Sequence, residues 1–231
     1  MKNLYLIANW KMTLNRKESV SLASRIKSFD LKNNIKLEVA PTNLYLSEIQ
    51  NIFKDSNIRV ISQNFDHVSS GSFTGGICLD QLREIGITKT ILGHSERRSK
   101  FNETDYIVNQ KLESVLNADF EVIFCFDSYK QIPFKIISDN LNDISKLTLA
   151  YEPTWAIGTG KTASISHIEE IHSKVNKTLQ KLSLRSIPLL YGGSVNPENS
   201  NEILNTDNVD GVLVGGASTN LELLSGIINS I

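Results

Sequence analysis

The chain has 231 residues, 40% apolar and 21% charged, a composition that suits one soluble globular unit large enough to bury a substantial core. Lysine and arginine number 24 against 25 acidic residues, a formal net charge of -1, which excludes a general pull toward nucleic acid or an anionic membrane, so an anionic ligand must be held by local groups. Two distant cysteines, Cys78 and Cys125, make neither a disulfide framework nor a CxxC metal pair, and no apolar stretch near the start or elsewhere approaches the ~18 residues of a membrane helix, so the expectation is a cytoplasmic protein.

Short β-rich runs recur at residues 4–9, 36–40, 59–63, 88–93, 121–126, 147–152, 187–191 and 209–214. Several are apolar on both parities, as in strands buried on both faces of a parallel sheet. Helical patterns lie between them. Val108, Leu112 and Val115 form one stripe. Ile165, Ile168, Ile171, Val175, Leu179 and Leu182 form another, with Ser164 as its N-cap. Asn196-Pro197 reads as an N-cap followed by an N1 proline. Leu221, Leu224, Ile228 and Ile231 form the last stripe. No Pro/Gly/Ser-rich linker divides the chain, so residues 1–231 read as a single α/β domain. Eight strands alternating with helices predict a (β/α)8 TIM barrel, eight parallel strands surrounded by helices.

Polar or glycine-rich clusters follow five of these strands, always at the carboxyl end: Asn9 and Lys11; His94 to Arg98; Glu152 to Thr162; Gly192 to Ser194; and Gly215 to Ser218. In a parallel barrel those ends share one face, where active sites are built. Each cluster also has a plainer reading. Lys11 could be a solvated lysine, and His94 a hydrogen-bonded core histidine. Yet Ser95-Glu96-Arg97-Arg98 looks like a helix start, and a helix N-terminus disfavours imidazolium, leaving a neutral ring able to donate to a carbonyl oxygen. Glu152, ending an apolar strand, could be half of a structural ion pair or a general base in a partly dry site. The 153–163 segment carries Trp155 and Ile157, which suit a closing lid or an ordinary packed connection. The paired glycines could be tight turns, or let backbone N–H groups approach a phosphate.

Other chemistries fit less well. Gly160-Lys161-Thr162 is not a P-loop, because Trp155 stands where that pattern needs glycine. His67, His94, His167 and His172 are dispersed, so no metal site is expected. No Ser-His-Asp or Cys-His arrangement stands out. A phosphosugar barrel enzyme such as an aldolase or epimerase, and a non-catalytic phosphate-binding barrel, are open readings at this point.

Together the clusters resemble the triosephosphate isomerase family along essentially the whole chain. The matching stretches include Ala8-Asn9-Trp10-Lys11-Met12, Gln63-Asn64, Phe73-Thr74-Gly75, Gly93-His94-Ser95-Glu96-Arg97-Arg98, Tyr151-Glu152-Pro153, Trp155-Ala156-Ile157-Gly158-Thr159-Gly160-Lys161, Tyr191-Gly192-Gly193-Ser194 and Gly215-Gly216-Ala217-Ser218. The resemblance implies interconversion of dihydroxyacetone phosphate and glyceraldehyde 3-phosphate, without a cofactor. It implies Glu152 as the base, His94 as the electrophile, Lys11 as the stabilising cation beside Asn9, and Glu96 as its orienting partner. Gly158, Ser194, Gly215 and Gly216 would bind the phosphate. It also implies a homodimer through the 70–76 loop. The sequence departs from the family where Cys125-Phe126-Asp127-Ser128 replaces Cys-x-Gly-Glu, where Thr74-Gly75-Gly76 loses an acid, and where Thr154 replaces a common valine. It is also about twenty residues shorter than typical members.

Overall fold

In the computed structural model, which describes residues 2–68, 70–156, 162–184 and 186–231, the strands are all parallel. They are β1 (Leu4–Asn9), β2 (Ile35–Ala40), β3 (Arg59–Val60), β4 (Lys89–Leu92), β5 (Glu121–Phe126), β6 (Leu147–Tyr151), β7 (Leu189–Tyr191) and β8 (Gly211–Val214). Their order is β3-β2-β1-β8-β7-β6-β5-β4. The seam between β3 and β4 closes through Ser62. Its N–H donates to Lys89 O at 3.0 Å, and its carbonyl accepts the Ile91 N–H at 2.9 Å. The eight strands thus form the expected barrel.

Around it lie α1 (Arg16–Ile26), α2 (Leu46–Phe53), α3 (Leu79–Glu84), α4 (Ser95–Lys100), α5 (Asp105–Asn117), α6 (Phe134–Asn140), α7 (Ile165–Lys181), α8 (Ser200–Leu204) and α9 (Leu221–Asn229). The stripe Val108, Leu112 and Val115 of α5 is fully buried, each side chain contributing roughly 1.5–3 kcal/mol on removal from water. Ser164 caps α7 by accepting the His167 N–H. The α7 stripe differs from expectation at two places: His172 occupies a core position, and Leu182 lies past the last helical residue, partly exposed. Asn196 accepts the N–H groups of Glu198 and Asn199 through its side chain, but the regular turns of α8 begin only at Ser200.

Several strands are shorter than the apolar runs. Pro188 has no N–H to give, so β7 starts at Leu189. Val209 turns its N–H back to Thr206 O, and β8 starts two residues later. Gly93, with φ +70°, leaves the extended conformation and ends β4.

Side chains inside the barrel form layers. Tyr5, Glu38, Arg59, Lys89, Glu121 and Thr148 line the N-terminal end. Ile7, Ala40, Ile61, Ile91, Ile123, Ala150, Leu190 and Leu213 fill the middle as an apolar cluster of their own, separate from the larger core under the helices. Asn9, His94 and Glu152 stand at the C-terminal rim beyond it.

Candidate active site

Asn9 ends β1, and its side chain fixes what comes next. Its Oδ1 accepts the Lys11 N–H at 3.1 Å, while Gln63 Nε2 donates to Lys11 O at 2.7 Å and to Ala40 O at 2.9 Å. These bonds hold Lys11 in the left-handed region, φ +52°, a conformation that costs a non-glycine residue on the order of 1–2 kcal/mol. Lys11 Nζ then reaches Glu96 Oε1 at 2.8 Å. Burial opposes the charge of Glu96, but the hydrogen bond and charge of Lys11 prevail and hold its carboxyl below the usual range.

His94 is the N-cap of α4. Its Nδ1 accepts the Glu96 N–H at 3.2 Å, so that nitrogen carries no proton and the ring is neutral with its proton on Nε2. Nε2 lies 3.2 Å from Glu152 Oε1.

Glu152 follows the last residue of β6 and is 1% exposed. Its N–H donates to Phe126 O at 2.8 Å. Its Oε2 accepts the Ser95 N–H, at the start of α4, at 2.8 Å. Oε1 has no aligned hydrogen-bond donor among the described residues, although it faces His94. Gly192 makes room for this side chain: a Cβ there would stand 2.8 Å from Glu152 Cγ. The nearby Cys125 thiol is pushed far up by burial and then by the charge of Glu152, so it stays protonated.

A cavity of about 270 Å³ joins Asn9, Lys11, His94 and Glu152 to Ser194, Gly215 and Gly216. A Cβ on Gly215 would lie 3.2 Å from Lys11 Cε, whereas one on Gly216 would meet nothing within 4 Å. Asn199 Nδ2 donates to Ser194 O at 3.1 Å and to Thr162 Oγ1 at 2.9 Å, tying the loop after β7 to the approach to α7. Gly158 and the rest of 157–161 lie outside the described residues, so the anticipated lid is described only at 153–156 and 162–163.

Every anticipated site residue that is described therefore borders one rim. Three partners have no role in the sequence reading: Gln63, Asn199, and Asp127, whose carboxylate accepts the Thr154 N–H and hydroxyl proton. Gln63 carried a usable signal, being polar at the end of the third apolar run. Asn199 and Asp127 act through bonds to loops distant in sequence, which spacing does not reveal.

A dry carboxylate set against an uncharged imidazole, with an ammonium group across the same small cavity, is equipment for shuttling a proton on a small anion. It is built at the C-terminal rim of parallel strands, the face on which (β/α)8 barrels carry their active sites. The family model for triosephosphate isomerase matches residues 4–231. The chain is 38% identical to the triosephosphate isomerase of Flavobacterium psychrophilum, with 100% of each chain covered. It is 37% identical to that of Treponema denticola and 36% identical to that of Mycoplasma genitalium, with 96% of each chain covered in both cases. The chain belongs to the triosephosphate isomerase family, and it is an isomerase.

Proposed function

We propose that the enzyme interconverts dihydroxyacetone phosphate and D-glyceraldehyde 3-phosphate through an enediolate, with Glu152 moving the proton. The observation that carries this reading is the approach of Glu152 Oε1 to His94 Nε2, 3.2 Å, at the wall of the rim cavity. Glu152 takes a proton from the carbon beside the carbonyl and returns it to the neighbouring carbon. The His94 Nε2–H donates to the carbonyl oxygen as charge develops there. Lys11 adds positive charge near both that oxygen and the phosphate, Glu96 orients it, and Asn9 sets its backbone. One such donor is typically worth ~3–4 kcal/mol in the transition state. Ser194, Gly215 and Gly216, with Gly158, receive the phosphate. The 153–163 segment closes over it, excludes water and protects the intermediate.

The working form is a cytoplasmic homodimer. Residues 70–75 are all exposed, Phe73 among them. A groove of about 480 Å³ lined by Met12, Gln63, Phe101 and Lys11 suits the same loop of a second copy. Exposed Met12 and Phe101 flanking a catalytic lysine support that occupant over solvent. A coupled assay with dihydroxyacetone phosphate tests the activity: conversion is expected, and absence of both conversion and solvent tritium exchange at carbon would sink it. Sedimentation at micromolar concentration tests the dimer; a single species near the chain mass of 25.8 kDa would reject it.

A further inference from the structure

The backbone ladder between β5 and β6 ends at the pair Phe126 and Tyr151. Beyond it, the Glu152 N–H still donates to Phe126 O at 2.8 Å. Pro153 has no N–H. The next donor is the Thr154 N–H, and it goes to a side chain: Asp127 Oδ1 accepts it at 3.0 Å. Asp127 Oδ2 also accepts the Thr154 hydroxyl proton at 3.1 Å. Both carboxylate oxygens thus grip one residue, two positions after the base. The carboxylate sits where Thr154 opens a 3-10 turn, Thr154–Ala156, whose first N–H has no partner inside the turn. Asp127 is itself fixed, since its N–H donates to Gln131 Oε1 at 2.8 Å.

The same segment is tied from its other side. Tyr151 Oη lies 2.9 Å from His167 Nε2 on α7. Burial, then the charge of Asp127, push the Tyr151 hydroxyl up to about 12, so it keeps its proton. The main chain around Glu152 therefore hangs between Tyr151 and Thr154.

We propose that Asp127 is a positioning residue: its carboxylate clamps Thr154 and so holds the main chain of Glu152 at the reacting distance from the substrate. The inference rests on the reading of Glu152 as the base. Small misplacements of a reacting group can be costly in rate, and a side chain placed by a fixed neighbour avoids them.

The test compares Asp127→Ala, Asp127→Asn and Thr154→Val with the parent, by steady-state kinetics and by amide hydrogen exchange at Thr154. Asp127→Ala should lower kcat about tenfold while KM moves less than about twofold. Asp127→Asn keeps one oxygen for the Thr154 N–H and should recover most of the loss. Thr154→Val removes only the hydroxyl contact and should cost about twofold, with no further loss when added to Asp127→Ala. Exchange at the Thr154 amide should accelerate at least about tenfold in Asp127→Ala. Parental kcat in Asp127→Ala, a fall in Tm alone, or multiplying losses in the double variant would overturn the proposal. If the parent itself failed to isomerise triose phosphates, the reading of Glu152 would fall, while unchanged exchange at Thr154 would overturn the clamp whatever the turnover.

Discussion

At the N-terminal end of the barrel, Lys89 Nζ lies 2.8 Å from Glu38 Oε1, and Arg59 Nη1 lies 2.7 Å from Glu121 Oε2, around a cavity of about 500 Å³. At the C-terminal end, the cavity is about 270 Å³, and a buried glutamate faces a neutral histidine. The larger and more highly charged cavity is the one away from the proposed site. Its cations and carboxylates pair with one another on strands of ordinary extended backbone, although Glu38 Oε2 has no hydrogen bond among the described residues. The rim instead keeps groups whose needs are only partly met: an oxygen of Glu152 without an aligned donor, and a lysine held in a left-handed turn.

Substitutions at the two ends sharpen that contrast. The largest effect is expected from Glu152→Ala, which should lower kcat by ~10²–10⁴-fold. Its unfolding free energy in urea should stay within about 1 kcal/mol of the parent or rise, since a buried carboxylate is lost. Near-parental turnover would take the role of base away from Glu152. Lys89→Met should do the reverse. It strands Glu38, whose Oε2 already lacks a hydrogen bond among the described residues, and should cost roughly 3–5 kcal/mol of stability with kcat unchanged. A fall in kcat without a fall in stability would mean that the floor takes part in the chemistry.

A third change lies in the core under the helices. His172 is fully buried on α7, donates through Nδ1 to Asn208 O at 2.9 Å, and has its pKa lowered by burial from 6.5 to about 4. Above pH 6.5 neither the folded nor the unfolded chain protonates it. Between about 6.5 and 4 only the unfolded chain does, so stability is lost as pH falls through that window, about 2 kcal/mol of it between pH 7 and 5. Urea titrations at the two pH values should show a shallower dependence in His172→Gln; an equal slope would clear His172 of the effect. The smallest effect is expected from Gly215→Ala. Its new methyl crowds Lys11 Cε, and kcat/KM should fall about tenfold with Tm little changed. Kinetics identical to the parent would show that Lys11 tolerates the displacement.

Much of the frame was readable because burial on both faces of a strand leaves an unbroken apolar run. The run at 121–126 coincides with β5, and that at 4–9 with β1. The third run did so only in part: past Val60 the Ile61 N–H still donates to Val39 O and Ser62 pairs with β4, but Gln63 reaches Ala40 O through its side chain. His94 was legible as a helix start, since the polar run after Gly93 changes the period at once. The left-handed turn at Lys11 was not, because it depends on Asn9 and Gln63, which meet only after β1, β2 and β3 have aligned. The grip of Asp127 on Thr154 was hidden for the same reason. Its two members stand 27 positions apart and belong to no local motif.

The apolar layer across the middle of the barrel has a consequence for how such a molecule can change over generations. Lys89, at the start of β4, and Gly93, just past its end, are four positions apart, about 13 Å at ~3.3 Å per residue. Alterations that far apart, with no shared neighbours, combine without interfering. Inheritance can therefore retune the floor for a colder, hotter or saltier habitat, while the catalytic rim carries on untouched.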